Sequence, residues 1–123
     1  PPKYFFTNIK RHGALLAKGR MLGIQFDTLF TDNLYFKISR HAIAMATRIR
    51  SIFQKHGIAI AYDSPTNQQF VVLSPSLYDA LSKKVAFEIW ERKSDTEIIC
   101  RFVTSWATKE EELEELEHIL QTL

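Results

Sequence analysis

One residue breaks the pattern around it in a way that calls for chemistry. In the run Ile98-Ile99-Cys100-Arg101-Phe102-Val103 both faces of an extended strand are apolar, and Arg101 shares its face with Ile99 and Val103. A guanidinium keeps its proton, so among apolar neighbours it needs an anion. Two partners are open. One is an internal carboxylate on a neighbouring strand, with Glu88 best placed by alternation. The other is the carboxylate or phosphate of a ligand, held by a two-pronged charge-assisted bond that lysine does not reproduce.

Few other groups could join such a site. Thr66-Asn67-Gln68 stands at the mouth of a strand and offers side-chain donors and acceptors, a composition that equally makes a turn. Lys18 and Arg20 flank Gly19 and could reach a phosphate across an interface; exposed bases on a helix are as often a solvated face. His12, His41, His56 and His118 have no partner at metal-ligand spacing, so no metal site is expected. Cys100 is the single cysteine and sits in an apolar stretch, which reads as a small buried hydrophobe in a reducing, cytoplasmic setting. The chain holds no glycine-rich phosphate loop, serine-centred elbow, Cys-x-x-Cys or carboxylate pair with catalytic spacing. No catalytic residue is assigned, and these 123 residues are not expected to make a complete active site alone.

The elements that must position Arg101 follow from periodicity. From about Thr7 to Phe30, apolar residues recur at helical spacing but Gly13, Gly19 and Gly23 interrupt them. Three glycines cost an isolated helix about 1 kcal/mol each relative to alanine. Either something approaches that backbone closely, with Gly19 and Gly23 on one face, or a loop precedes a shorter helix. Asp32 is the expected N-cap of a helix running to about His56, with Leu34, Ile38, Ala42, Met45, Ile49, Ile52 and Phe53 as its apolar stripe and Gly57 just past its end. Short β-rich runs follow at Ile58–Tyr62 and Gln69–Leu73 around the turn cluster 63–67. Ser74 caps a short helix with Pro75 at its first position, extending to about Lys83. Val85–Glu91 and Glu97–Thr104 are the two longest strand candidates, and Ser94-Asp95 turns a hairpin between them. Thr108 and Glu111 read as a capping box for a last helix bearing Leu113, Leu116, Ile119, Leu120 and Leu123. The sum is a small α+β domain, a mainly antiparallel sheet packed with helices, spanning 1–123 as one domain with an N-terminal helical segment at about 1–30.

Composition limits the rest. A chain that is 46% hydrophobic and 24% charged, with four Gly and four Pro, has the make-up of a folded domain and excludes disorder. No apolar run approaches the length of a membrane span, and the first residues lack the apolar stretch of a secretory signal, so no membrane partner is expected. Net charge +2 hides a gradient: residues 1–56 carry ten Lys or Arg against Asp27 and Asp32, whereas residues 108–123 carry Lys109 against six Glu. That basic half could face phosphate or simply the acidic tail. A nucleic-acid module is disfavoured, because the strands lack the basic-glycine-aromatic signature of RNA-binding sheets.

Three blocks carry a family resemblance. Residues Lys10 to Phe26 (KRHGALLAKGRMLGIQF), Pro65 to Phe70 (PTNQQF) and above all Arg101 to Thr108 (RFVTSWAT) resemble the C-terminal part of a low-specificity L-threonine aldolase, in the β-eliminating-lyase group of fold type I pyridoxal-phosphate enzymes. The resemblance runs from about Ile9 to Glu111, in order. It implies a small C-terminal domain of a larger enzyme that cleaves threonine or allo-threonine to glycine and acetaldehyde, with Arg101 binding the substrate carboxylate. It further implies a homo-oligomer in which Lys18 and Arg20, Arg20 the better match, lie near a subunit interface and the cofactor phosphate. Thr66 and Asn67 would be positional. Ser105-Trp106 stands where many relatives carry a histidine, so no proton-transfer role is carried over there. The Schiff-base lysine, the ring that stacks on the cofactor and the aspartate that pairs with its pyridine nitrogen are expected in an N-terminal domain outside this chain. The rival expectation is a non-catalytic carboxylate-binding or interaction domain.

Overall fold

Two glycines with positive φ set the ends of two helices. In the computed structural model, which describes residues 1–123, Gly13 has φ 67° and Gly57 has φ 73°. After each, the chain folds back through the same pair of hydrogen bonds, Gly13 N to Lys10 O with Ala14 N to Ile9 O, and Gly57 N to Gln54 O with Ile58 N to Phe53 O. This is the left-handed helix stop that glycine alone adopts without a side-chain penalty. It closes α1 (Phe5–Arg11) and α3 (Leu34–Lys55). Between them lie α2 (Gly19–Phe30) and a 3-10 turn, Thr31–Asn33. The loop alternative for the glycine-bearing segment is therefore realised at Gly13, while Gly23 sits inside α2 with nothing within 4 Å of where a Cβ would stand.

Asp32 is not the N-cap. It takes φ 51° and ψ 30°, and Asn33 follows at φ 59°, whereas a cap needs extended backbone. Asp and Asn visit that region more readily than other side chains, so the pair makes a bend between helices rather than a cap.

The chain divides into two compact units, Pro1–Phe36 and Lys37–Leu123. In the first, no residue of α1, α2 or the 3-10 turn is buried. Phe26 stacks on Phe30 with ring centres 6.3 Å apart, and Phe30 meets Tyr35 at 5.5 Å, yet Phe6, Met21, Phe26 and Phe30 all stay more than half exposed.

The second unit holds the core. Strands β1 (Gln68–Leu73), β2 (Glu88–Arg92) and β3 (Ile98–Val103) form an antiparallel sheet in the order β1-β3-β2, with α4 (Pro75–Leu81) between β1 and β2 and α5 (Glu110–Thr122) at the end. Ala42, Met45, Ile49, Ile52 and Phe53 of α3 bury most of the expected stripe, though Leu34 is exposed and Ile38 only half-buried; Leu113, Leu116 and Leu120 come from α5, and Val71, Leu73, Cys100 and Phe102 from the sheet. Phe102 lies between Phe53 at 4.8 Å and Phe87 at 4.6 Å. Each such fully buried side chain contributes roughly 1.5–3 kcal/mol of transfer free energy. The α+β class expected from periodicity is borne out.

Local signals behave as written at several points and shift at others. Ser74 Oγ accepts from Leu77 N at 3.3 Å with Pro75 opening α4. The 94–97 hairpin closes through Lys93 N to Glu97 O, 3.0 Å, with Ser94 Oγ accepting from Glu97 N. The α5 cap moves one residue: Lys109 N donates to Glu112 Oε2 at 2.9 Å, and Thr108 Oγ1 instead accepts from Ser105 N at 2.9 Å, closing the turn before the helix. Ile58–Tyr62 yields one bridge, Ile60 opposite Val71, rather than a full strand. The basic face of α3 finds the acidic helix after all: Arg48 pairs with Glu110 and lies 3.8 Å from Glu114, and Lys55 pairs with Glu117. That contact draws the Glu117 carboxyl below its ordinary value, chiefly through the hydrogen bond from Lys55.

Candidate functional site

Arg101 stands on the central strand, opposite Phe70 of β1 and Glu88 of β2. Its neighbours Cys100 and Phe102 point into the core; Arg101 points to the other face. Its side chain is 27% exposed and is held at three points: Nη2 pairs with Glu88 Oε2, Nη1 donates to Gln68 Oε1 at 3.3 Å, and the guanidinium carbon lies 5.3 Å from the centre of the Trp90 ring. Nε is buried and has no partner. The internal carboxylate left open by alternation is thus engaged, and Nε is the one guanidinium nitrogen without a partner.

The surroundings of Arg101 are aromatic and open. Trp90 meets Phe70 edge-on at 5.2 Å, Phe70 meets Tyr62 at 5.5 Å, and the Tyr62 hydroxyl donates to Glu91 Oε2 at 3.2 Å. Desolvation, with Glu91 adding to it, raises the Tyr62 phenol above its usual value. A depression lined by Ala86, Phe87, Glu88, Arg101 and Val103 lies at the guanidinium, which a small carboxylate could reach. Trp90 is the partner that the sequence reading passed over: the β2–β3 register shifts between Ile89 and Glu91, leaving Trp90 as the extra residue there, which strict alternation does not foresee.

Thr66 and Asn67 do not touch Arg101. Asn67 Nδ2 donates to Thr104 O at 2.7 Å, Thr104 N donates back to Asn67 O at 3.0 Å, and the buried Thr104 hydroxyl donates to Ala42 O at 2.7 Å. This chain of bonds fastens the start of β1 and the end of β3 to α3. Thr66 Oγ1 accepts from Gln68 N at 3.2 Å, and Gln69, itself buried, donates to the Ser64 and Thr66 carbonyls. Both residues therefore hold the turn that carries Gln68.

Lys18 and Arg20 belong to the other unit. Lys18 precedes α2, Arg20 lies in its first turn, both are exposed, and neither makes an ion pair. Bases at a helix start face the positive end of its dipole, an arrangement that favours an anion arriving there. His41 Nε2 lies 2.8 Å from Thr108 O, a contact that ties α3 to the turn before α5. Cys100 is fully buried, and desolvation pushes its thiol up to about 11, which leaves no thiolate for chemistry. No three His, Cys, Asp or Glu side chains are grouped so as to hold a metal, and no helix is long and apolar enough to cross a membrane.

No protein-family model matches the chain, and no curated protein matches it. Among solved structures, that of Leishmania major threonine aldolase is similar with a TM-score of 0.87 and 35% identity, over 99% of this chain and 35% of that one. The chain is related to part of a threonine aldolase. The resemblance carried by the three sequence blocks is borne out, and the threonine aldolase relationship extends to almost every residue described. The chain spans about a third of the length of that aldolase.

Proposed function

We propose that this chain is the small C-terminal domain of a pyridoxal-phosphate-dependent threonine aldolase, a carbon–carbon lyase, and that Arg101 binds the α-carboxylate of the amino-acid substrate. The observation that carries the reading is the likeness to threonine aldolase over 99% of the chain at 35% identity. Threonine aldolases are pyridoxal-phosphate enzymes, and that cofactor supplies the electron sink when the Cα–Cβ bond of a β-hydroxy-α-amino acid breaks. What Arg101 adds is position: a carboxylate held at two points cannot rotate freely, and that restriction lowers the entropic part of the barrier. Gln68 and Trp90 hold the guanidinium in place, and Glu88 pairs with it in the empty site.

The residues present fit one end of the cofactor. Lys18 and Arg20, free of ion pairs at the start of α2, would hold its phosphate, together with the first backbone N–H groups of that helix. In this reading the Schiff-base lysine and the partner of the pyridine nitrogen lie in the part of an aldolase that this chain does not span, and these 123 residues alone are inactive. The uncovered apolar surface of Pro1–Phe36 supports a role in subunit contacts of a homo-oligomer. The lone buried cysteine supports a cytoplasmic setting.

The test is retro-aldol cleavage of L-threonine and L-allo-threonine by the full-length protein with pyridoxal phosphate, beside Arg101→Lys. Replacing the forked guanidinium by a single ammonium lowers kcat/KM by about tenfold or more. Unchanged kinetics in the variant would remove Arg101 from the substrate site. Absence of both activity and a cofactor absorbance band would leave a non-catalytic domain whose Arg101 serves the Glu88 pair.

A further inference from the structure

Arg101 is occupied before any ligand arrives. Its Nη2 holds Glu88, its Nη1 holds Gln68 at 3.3 Å, and only the buried Nε is without a partner. A guanidinium offers a carboxylate two forked faces, one made by the two terminal nitrogens and one by Nε with its neighbouring terminal nitrogen. Glu88 sits on one of those terminal nitrogens. A second carboxylate brought to the same cation is therefore repelled by the first, which disfavours holding both at once.

The two partners of Arg101 differ in how freely they can leave. Gln68 is neutral, so its amide oxygen can stay on Nη1 beside an incoming anion, and the Trp90 ring keeps its side of the guanidinium without using any N–H. Glu88 is charged and 69% exposed at its side chain, against 27% for Arg101. It can swing into water at little cost, since exposed ion pairs are weak.

We infer that Glu88 is an internal competitor for the substrate carboxylate: it occupies Arg101 in the empty site, is displaced on binding, and so sets how tightly the carboxylate is held. This rests on the assignment of Arg101 to the substrate. A glutamine at position 88 keeps the size and a hydrogen-bond acceptor but removes the competing charge, which separates competition from mere support.

The experiment compares wild type, Glu88→Gln and Arg101→Lys in the full-length protein loaded with pyridoxal phosphate. KM and kcat are measured for L-threonine, and the dissociation constant for glycine is read from the absorbance of the bound cofactor. Competition predicts that Glu88→Gln lowers KM and the glycine constant together by about two- to fivefold, the range set by an exposed pair, with kcat little changed. If both constants rise or stay fixed in Glu88→Gln while Arg101→Lys is crippled, Glu88 is a support or a bystander and the inference fails with the carboxylate role of Arg101 intact. If Arg101→Lys itself matches wild type, both fail together.

Discussion

The two units of this chain obey the same local rules and reach opposite ends. Pro1–Phe36 and Lys37–Leu123 each stop a helix at a left-handed glycine with the same two hydrogen bonds, and each carries stacked aromatic rings. Only the second encloses its apolar side chains. Phe53 is wholly buried, whereas Phe26 is 63% exposed. The contrast separates what forms an element from what anchors it: capping and periodicity make helices in both units, and only one of them buries a core. The apolar surface left on α2 is costly in water, and it is the observation that supports the proposed subunit contacts.

That contrast is breakable in three places. The largest effect falls on the core: Phe53→Ala lowers the unfolding free energy by about 3–5 kcal/mol, while Phe26→Ala changes it by less than about 0.5 kcal/mol, both from denaturant titration of the same chain. Equal losses at the two sites would mean that the first unit has a core of its own. Next come the paired glycines. Neither has an atom within 4 Å of the added Cβ, so alanine costs only the left-handed backbone, about 1–2 kcal/mol. At Gly57 this appears in global stability; at Gly13 it appears only as faster amide exchange of Gly13 and Ala14. A global loss from Gly13→Ala would tie the units more closely than the burial pattern implies.

The smallest effect is electrostatic. Glu117 is held below its ordinary value by Lys55, so the unfolded chain takes up that proton first as pH falls. Its stabilising contribution is complete above the ordinary glutamate range and disappears as pH drops through the lowered value. Glu117→Gln therefore flattens part of the acid limb of a stability–pH curve, and a variant that loses stability in parallel with wild type shows that the Lys55–Glu117 pair contributes nothing.

Legibility followed the range of the forces involved. Signals that act within a few residues were readable: Gly57 as a helix stop, Ser74-Pro75 as a start, the 94–97 hairpin, and Glu88 opposite Arg101 by simple alternation. Signals that depend on competition between near neighbours slipped by a residue or two, as at Asp32, where two successive left-handed residues replaced a cap, and at Thr108, whose hydroxyl closed a turn instead of a helix. Val85 and Phe87 illustrate a third case. Both are apolar enough for a strand, yet β2 begins only at Glu88, while Phe87, one step beyond the Glu88–Arg101 pair, packs on Phe102 and Tyr78. Pairing of Arg48 and Lys55 with α5, some sixty residues away, was signalled only by the charge gradient along the chain, which named neither partner.

The position of β3 between two ladders has a kinetic corollary for the guanidinium. Arg101 has its Cα paired on both sides, with Phe70 and with Glu88, so its backbone cannot travel without breaking hydrogen bonds on two ladders, whereas Glu88 opens the edge strand β2. Arg101 is a lever on a clamped pivot. Handing the cation from one carboxylate to another is then a matter of torsions at the lever tip, on the picosecond-to-nanosecond scale of exposed rotamers rather than the slower scale of moving loops. In the proposed role of Arg101, the anion is brought to a stationary receiver, and the sheet supplies its address.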